Sequence, residues 1–326
     1  MRVVCLREHG GLDKFLFEDW EMPTPGEGQV LVKVEACGLN YLDIFVRRGM
    51  PGLATEFPRI PGADVAGTVT ALGPGVDELA VGQRILTHPR FKGGGVMGEH
   101  GNGGLCEYIA WDADYCIPLA DSISFEEAAS LPVAYGTAHR MMVTRGEVSE
   151  DDLVLILGAS GGVGTGCVQI AKAYGATVIA CASSEEKLEK LRALGADHLI
   201  NYTDKDFSRE AWGISGKKGV NILINYTGGD TWVPGIRAMA PGGRLLCCGA
   251  TIGFDPQTDL RYLWRREIDI RGSTGWRIED LHALLGMIET GTLKAVIDSV
   301  FPLEETAEAM RRIEDREVFG KVIIKP

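Results

Sequence analysis

Between Leu153 and Gly166 the chain reads "LVLILGASGGVGTG", an apolar run that passes straight into glycines at 158, 161, 162, 164 and 166. A short apolar run closed by glycine predicts a buried strand, and the continuation "GVGTGCVQIAKAYG" predicts an amphipathic helix. Residues without a Cβ at such a turn let the backbone come close to a pyrophosphate and let the helix pack tightly on the strand, as expected of Gly161 and Gly164. The helix N-terminus then faces the phosphates with unpaired N–H groups and a partial positive charge. The frame is Ala159-Ser160-Gly161-Gly162-Val163-Gly164, so alanine stands where G-x-G-x-x-G begins. A second strand, "ATVIACA", follows at the right distance. Ser160, Gly161, Gly162, Val163 and Gly164 are therefore expected to bind a dinucleotide, the alternative being a glycine-rich turn with no ligand.

The end of that second strand bears on which dinucleotide. An acidic residue there would hold the 2′-hydroxyl of NAD. This chain has Ala182-Ser183-Ser184, with Lys187 one helical turn on. Two hydroxyls and an ammonium suit a 2′-phosphate, so Ser183, Ser184 and Lys187 predict NADPH. Glu185 and Glu186 are adjacent, but at the start of a helix they are expected to be solvated and favoured by the dipole.

Around this unit the texture changes twice. Residues 1–120 read as short strands separated by proline and glycine ("QVLVKVEACGL", "VAGTVTALG", "CEYIAWDADYCIPL"), a barrel-like all-β pattern. From about Ser122, with Ser124 as a candidate N-cap, strands alternate with helices, as in a doubly wound parallel sheet. The last 30 residues return to strand–helix–strand and are expected to rejoin the first region. An α/β protein follows, with one domain from residues 1–125 and 275–326 and a dinucleotide-binding domain at 126–274. Net charge is −12, which disfavours nucleic-acid or anionic-membrane partners. No run approaches the ~20 apolar residues that span a bilayer. The first residues do not read as a signal peptide, and none of the eight cysteines forms a C-x-x-C pair. A cytoplasmic protein with free, buried thiols is expected.

Several segments in fixed order, "CGLNYLDIFVRRG", "FPRIPGADVAGTVTALGPGV", "GGLCEYI", "AASLPVAYGTAHRMM", "LILGASGGVGTGCVQIAKAYGATVIA" and "VFGKVIIKP", resemble the medium-chain dehydrogenase/reductase superfamily. The likeness is greatest to its zinc-independent quinone oxidoreductase and enoyl reductase branch. The resemblance implies a GroES-like catalytic domain, a Rossmann domain, a cleft between them, and a homodimer pairing Rossmann sheets near "LWRREIDIRGST". It implies further cofactor contacts at Thr137, Tyr202, Gly228, Gly249, Ala250, Ser273, Thr274 and Gly275, with Lys321 pairing with pyrophosphate.

Zinc-dependent members hold a catalytic metal with cysteine, histidine and a further cysteine or acid. Carried over by position, these ligands fall on Asn40, Ala63 and Val133. None offers the thiolate, imidazole or carboxylate that zinc requires, so no metal is expected. The four-cysteine structural lobe is replaced by "HPRFKGGGVMGEHGNGG", read as a mobile loop at the cleft edge. Asn40 is expected to touch the nicotinamide ribose. Tyr41 is a candidate donor to the substrate oxygen, or equally a half-buried aromatic at a domain edge. Asp43 is expected to brace the turn. Arg47 and Arg48 could meet an anionic substrate tail, though such a pair is more often solvated surface.

Hydride addition to the β-carbon of an α,β-unsaturated carbonyl, or to a quinone, puts charge on an oxygen that hydrogen-bond donors can stabilise without a Lewis acid. The expected activity is therefore NADPH-dependent reduction of a small-molecule electrophile, a quinone or an activated C=C bond. The alternatives are an acyl-CoA enoyl reductase of acryloyl-CoA type, and a protein that binds NADPH without turnover.

Overall fold

The computed structural model describes residues 1–52 and 54–326 and divides into two compact units, Met1–Val133 with Leu281–Glu289 and Lys294–Pro326, and Ala134–Asp280 with Thr290–Leu293.

In the first unit, β1 (Arg2–Cys5) pairs with β2 (Leu16–Asp19), and β3 (Gln29–Gly38) anchors the main sheet. The alternation in "QVLVKVEACG" turns Val30, Val32, Val34 and Ala36 into the core. Helix α1 (Tyr41–Arg48) follows at once. Next come β4 (Asp64–Leu72), β5 (Arg84–Thr87), β6 (Tyr108–Asp112), β7 (Cys116–Pro118) and the short α2 (Phe125–Ala128). Ser124 caps α2: its Oγ accepts the Glu127 N–H, and its own N–H donates to Glu127 Oε2. Two glycines of this sheet admit no side chain. A Cβ on Gly38 would lie 2.1 Å from the Ala129 carbonyl oxygen, and one on Gly67 2.1 Å from that of Lys33.

The second unit opens with α3 (Gly136–His139) inside a longer helical stretch. The chain then runs β8 (Leu153–Ile156), α4 (Gly162–Ala173), β9 (Thr177–Ala182), α5 (Glu185–Ala193), β10 (His198–Asn201), α6 (Phe207–Ile214), β11 (Val220–Ile224), α7 (Trp232–Ala238), β12 (Met239–Cys247), α8 (Leu260–Arg266) and β13 (Asp269–Gly272). All six strands are parallel, in the order β10-β9-β8-β11-β12-β13. Strands covered on both faces need no polar alternation, which is why "TVIACA" is apolar almost throughout. The chain leaves β8 first toward β9 and later returns to β11 on its other side. The carboxyl ends of β8 and β11 therefore form a topological switch point, where α/β sheets take ligands. Within this unit His139 Nδ1 lies 2.7 Å from Asp280 Oδ1, both residues buried.

After α9 (Ile278–Glu289) the chain adds β14 (Ile297–Pro302), α10 (Thr306–Glu314) and β15 (Lys321–Lys325) to the first unit. Its sheet order is β14-β15-β3-β4-β5-β7, with β6 also on β3. The first unit is thus the GroES-like β domain and the second the Rossmann-like parallel sheet. Residues 126–133, placed by the sequence reading with the dinucleotide domain, fall in the first unit.

Candidate active site

The glycine turn after β8 has a division of labour that the motif alone does not reveal. Gly158 has φ +64°, so the reversal of direction is made one residue ahead of the alanine that replaces the motif's first glycine. Its carbonyl accepts the Tyr226 hydroxyl at 2.7 Å. Gly164 is the packing residue, because a Cβ there would sit 2.6 Å from the Cα, C and O of Ala159. Gly161, the N-cap of α4, has φ −79° and only the Gly158 carbonyl at 3.6 Å from a would-be Cβ. Nothing among the described residues demands glycine at 161, and the first-turn N–H groups of α4 have no intrahelical acceptors. Ser160, Gly162 and Val163 line the same half-exposed turn.

At the end of β9, Ser183 and Ser184 are half-exposed. Ser184 Oγ accepts the Lys187 N–H at 3.3 Å, which leaves its proton free to donate. The two nearby acids face other partners: Glu185 Oε1 accepts Asn201 Nδ2 at 3.0 Å, and Glu186 pairs with Lys190 at 2.7 Å. The Tyr202 N–H bonds the Ala182 carbonyl at 3.2 Å, which seats this 39 % exposed tyrosine beside the serines. The ends of β11, β12 and β13 contribute Gly228 (φ +70°), Gly249 with Ala250, and Ser273 with Thr274 and Gly275. Asn225, buried after β11, shapes that end, its Oδ1 accepting the N–H groups of Thr227 and Gly228. Ser273 N–H bonds the Cys247 carbonyl at 2.8 Å, and its buried Oγ has no hydrogen-bond partner among the described residues. Thr137, on α3, is buried. The second unit thus gathers most of the expected dinucleotide residues at the carboxyl edge of one sheet.

Lys321, which the resemblance has pairing with pyrophosphate, is 2 % exposed inside the first unit. It donates to Leu39 O at 2.8 Å, Asn40 Oδ1 at 2.6 Å and Asp64 Oδ2 at 2.9 Å, which uses all three N–H bonds. Pairing of β15 with β3, Ile323 opposite Gly38, carries it there. The amide of Asn40, expected at the nicotinamide ribose, joins the same set: Nδ2 donates to Asp64 Oδ2 at 2.9 Å and Gly38 O at 3.3 Å while Oδ1 accepts from the ammonium. Asp64 completes the set by accepting the Val133 N–H on Oδ1 at 2.8 Å. Neither the β15 register nor the role of Asp64 is visible in composition or spacing.

Asp43 braces the turn. Its Oδ2 accepts the Asn40 N–H at 2.8 Å and its Oδ1 the Gly62 N–H at 2.9 Å. Burial pushes this carboxyl up to about 6, against the two N–H bonds, with Asp64 adding to the rise and Lys321 opposing it. Tyr41 is half-buried as the first residue of α1, its ring edge-on to Phe45 at 5.1 Å. Arg47 and Arg48, considered above for an anionic tail, both pair with Glu314 of α10. Among the described residues no three His, Cys, Asp or Glu side chains are grouped to hold a metal ion.

A GroES-like unit and a parallel sheet with a glycine turn at its switch point are the make-up of an oxidoreductase of the dehydrogenase/reductase type. Residues 26–121 match the family model described as alcohol dehydrogenase GroES-like domain, and residues 162–290 that described as zinc-binding dehydrogenase. The chain is 32 % identical to human quinone oxidoreductase over 96 % of its own length and 94 % of the relative's. It is 30 % identical to the 2-haloacrylate reductase of a Burkholderia species, over 99 % and 98 %. A crystal structure of an NAD-dependent alcohol dehydrogenase superposes with a TM-score of 0.94 at 36 % identity, covering 100 % of both chains. The protein belongs to the medium-chain dehydrogenase/reductase superfamily, in its quinone oxidoreductase branch.

Proposed function

We propose that this protein is an NADPH-dependent, zinc-independent reductase of quinones or of activated C=C bonds in α,β-unsaturated carbonyls. The observation that carries the reading is the donor set at the three positions where zinc-dependent relatives place their ligands. Ala63 and Val133 carry hydrocarbon side chains, and the amide of Asn40 is fully engaged by Lys321, Asp64 and Gly38. These residues do not fit zinc, which takes thiolate, imidazole or carboxylate in a near-tetrahedral set. A plain alcohol, which needs an acidified hydroxyl, is then a poor substrate. An electrophile whose developing oxyanion is met by hydrogen-bond donors suits the site better, with Tyr41 as the proposed donor.

The residues fit a dinucleotide. Bound NADPH supplies a hydride. The turn at 158–164 would cradle its pyrophosphate, with the backbone at Gly161 allowing the close approach. Ser183, Ser184, Lys187 and Tyr202 would receive the 2′-phosphate, with the adjacent Glu185 and Glu186 engaged by Asn201 and Lys190. Thr137, Gly228, Gly249, Ala250, Ser273, Thr274 and Gly275 would border the rest.

Eight free cysteines, and the lack among the described residues of a helix long and apolar enough to cross a membrane, support a cytoplasmic setting. β13 ends its sheet with one side unpaired, and Ile270, Leu260 and Trp264 are 43 %, 60 % and 64 % exposed. An edge of this kind supports a homodimer formed there.

The test is NADPH and NADH oxidation by purified protein with 9,10-phenanthrenequinone, a 2-haloacrylate, a simple enone, crotonyl-CoA and a secondary alcohol with NADP+. Turnover of a quinone or enone, faster with NADPH, is expected. Turnover of the alcohol alone, or dependence on added zinc, would overturn the reading. Exclusive turnover of crotonyl-CoA would favour an enoyl-thioester reductase.

A further inference from the structure

We infer that Lys321 is the built-in cation of this centre, a positioning residue that holds Asn40 and the start of α1 by its ammonium and takes no part in binding pyrophosphate. The inference rests on the reductase reading above.

The ammonium is tied to all three positions where a metal's ligands would fall. It bonds the side chain of Asn40 directly, at 2.6 Å. It bonds Asp64, the residue next to Ala63, at 2.9 Å. The other oxygen of Asp64 takes the backbone N–H of Val133, at 2.8 Å. A cation with its counter-charge thus lies among positions 40, 63–64 and 133, contributed by the chain. Its three protons meet three acceptors, and Asp64 is fully buried, so the arrangement is satisfied without solvent. A divalent ion brought here would face a fixed positive charge and two hydrocarbon side chains.

The surrounding backbone is built for this placement. Gly320, just before Lys321, has φ +95°, and a Cβ there would lie 2.3 Å from the Val296 carbonyl oxygen. The Lys321 N–H donates to that same oxygen at 2.8 Å, and the Leu39 N–H donates to Val322 O at 2.9 Å. The strand end is pinned on both sides, and the side chain has one direction to take. What it fixes is Asn40, the N-cap of α1, whose next residue is Tyr41. Asp43 holds the same Asn40 by its backbone N–H. Losing the ammonium frees the Asn40 amide and turns Asp64 into an uncompensated buried charge, and Tyr41 stands immediately beyond.

The experiment compares wild type, Lys321→Met, and the double variant Lys321→Met with Asp64→Asn, which removes both charges and so stays folded if the single variant does not. NADPH affinity is read by fluorescence titration, and kcat and KM at saturating NADPH with the best electrophile. The expected result is an NADPH Kd within twofold of wild type in the folded variant, with kcat lowered at least tenfold. A Kd raised tenfold or more with kcat retained would show that Lys321 serves the pyrophosphate and sink the inference, as would wild-type kcat with Met at 321. Failure of the reductase reading is a separate outcome: wild-type protein then turns over no electrophile, while the titration still reports whether Lys321 contributes to NADPH binding.

Discussion

Exchanging Gly164 and Gly161 separately for alanine distinguishes packing from ligand approach within one motif. At 164 the new methyl meets three backbone atoms of Ala159 at 2.6 Å. Comfortable contact lies at about 3.5–4.0 Å, so α4 and the end of β8 must part by roughly 1 Å. Overpacking of this kind costs about 1–3 kcal/mol, and the helix propensity gained by alanine returns at most about 1. For a unit of this size each kcal/mol moves Tm by about 2–4 °C, so a net fall of up to about 10 °C is expected without ligand. At 161 the backbone is ordinary (φ −79°) and the nearest atom is 3.6 Å away, so Gly161→Ala should stay within about 1 kcal/mol of wild type. Its effect appears with ligand, as a Kd for NADPH raised at least tenfold. Thermal unfolding of the apo-protein and fluorescence titration with NADPH measure the two terms. Gly161→Ala that melts as low as Gly164→Ala, or that binds NADPH as wild type does, would refute the assignment.

Ser183→Asp places a carboxylate at the end of β9 and should shift the ratio of kcat/KM for NADPH over NADH at least tenfold toward NADH; an unchanged ratio removes Ser183 from the 2′-phosphate site. Gly38→Ala drives a methyl to 2.1 Å from the Ala129 carbonyl and 3.1 Å from Asp64 Cβ, so it should lower Tm well beyond Gly161→Ala, read by calorimetry. Asp280 bears on pH. Burial pushes its carboxyl up, but His139 and the Arg277 N–H together outweigh that and hold it below the usual range. A depressed carboxyl contributes stability that is present above its unfolded value, about 3.9, and is lost as pH falls through the folded value. Asp280→Asn should therefore cost about 1–3 kcal/mol at pH 7, with the gap to wild type closing below about pH 4 in denaturant titrations.

Local signals survived translation into three dimensions best. The apolar run at 153–157, the glycines after it and the uncharged end of "TVIACA" each act within a few residues, and the strand–helix alternation carried the parallel sheet. Ser124 could be read as a cap because its partner, Glu127, is three residues away. What stayed hidden depends on distant register. Lys321 was assigned to pyrophosphate by the resemblance, and nothing local shows the register that sets β15 beside β3. Arg47 and Arg48 looked available because Glu314, their acceptor, belongs to another helix. Gly158 was passed over because the motif begins at 159, whereas the backbone makes its turn one residue earlier. The cysteines divide similarly: six are buried as expected, while Cys247 and Cys248 are half-exposed because their strand runs out at the sheet's carboxyl edge.

The strand that brings in Lys321 also sets an order of assembly. Lys321 and Leu39 are 282 residues apart, and the Cys37–Gly38 end of β3, beyond its pairing with β6, gains its second neighbour only when β15 arrives. At about 5–20 residues per second a ribosome needs roughly 15–60 s to cover that distance. The parallel sheet, β8–β13, is encoded without interruption in between, so the second unit has all its strands made while the first still waits for β14 and β15.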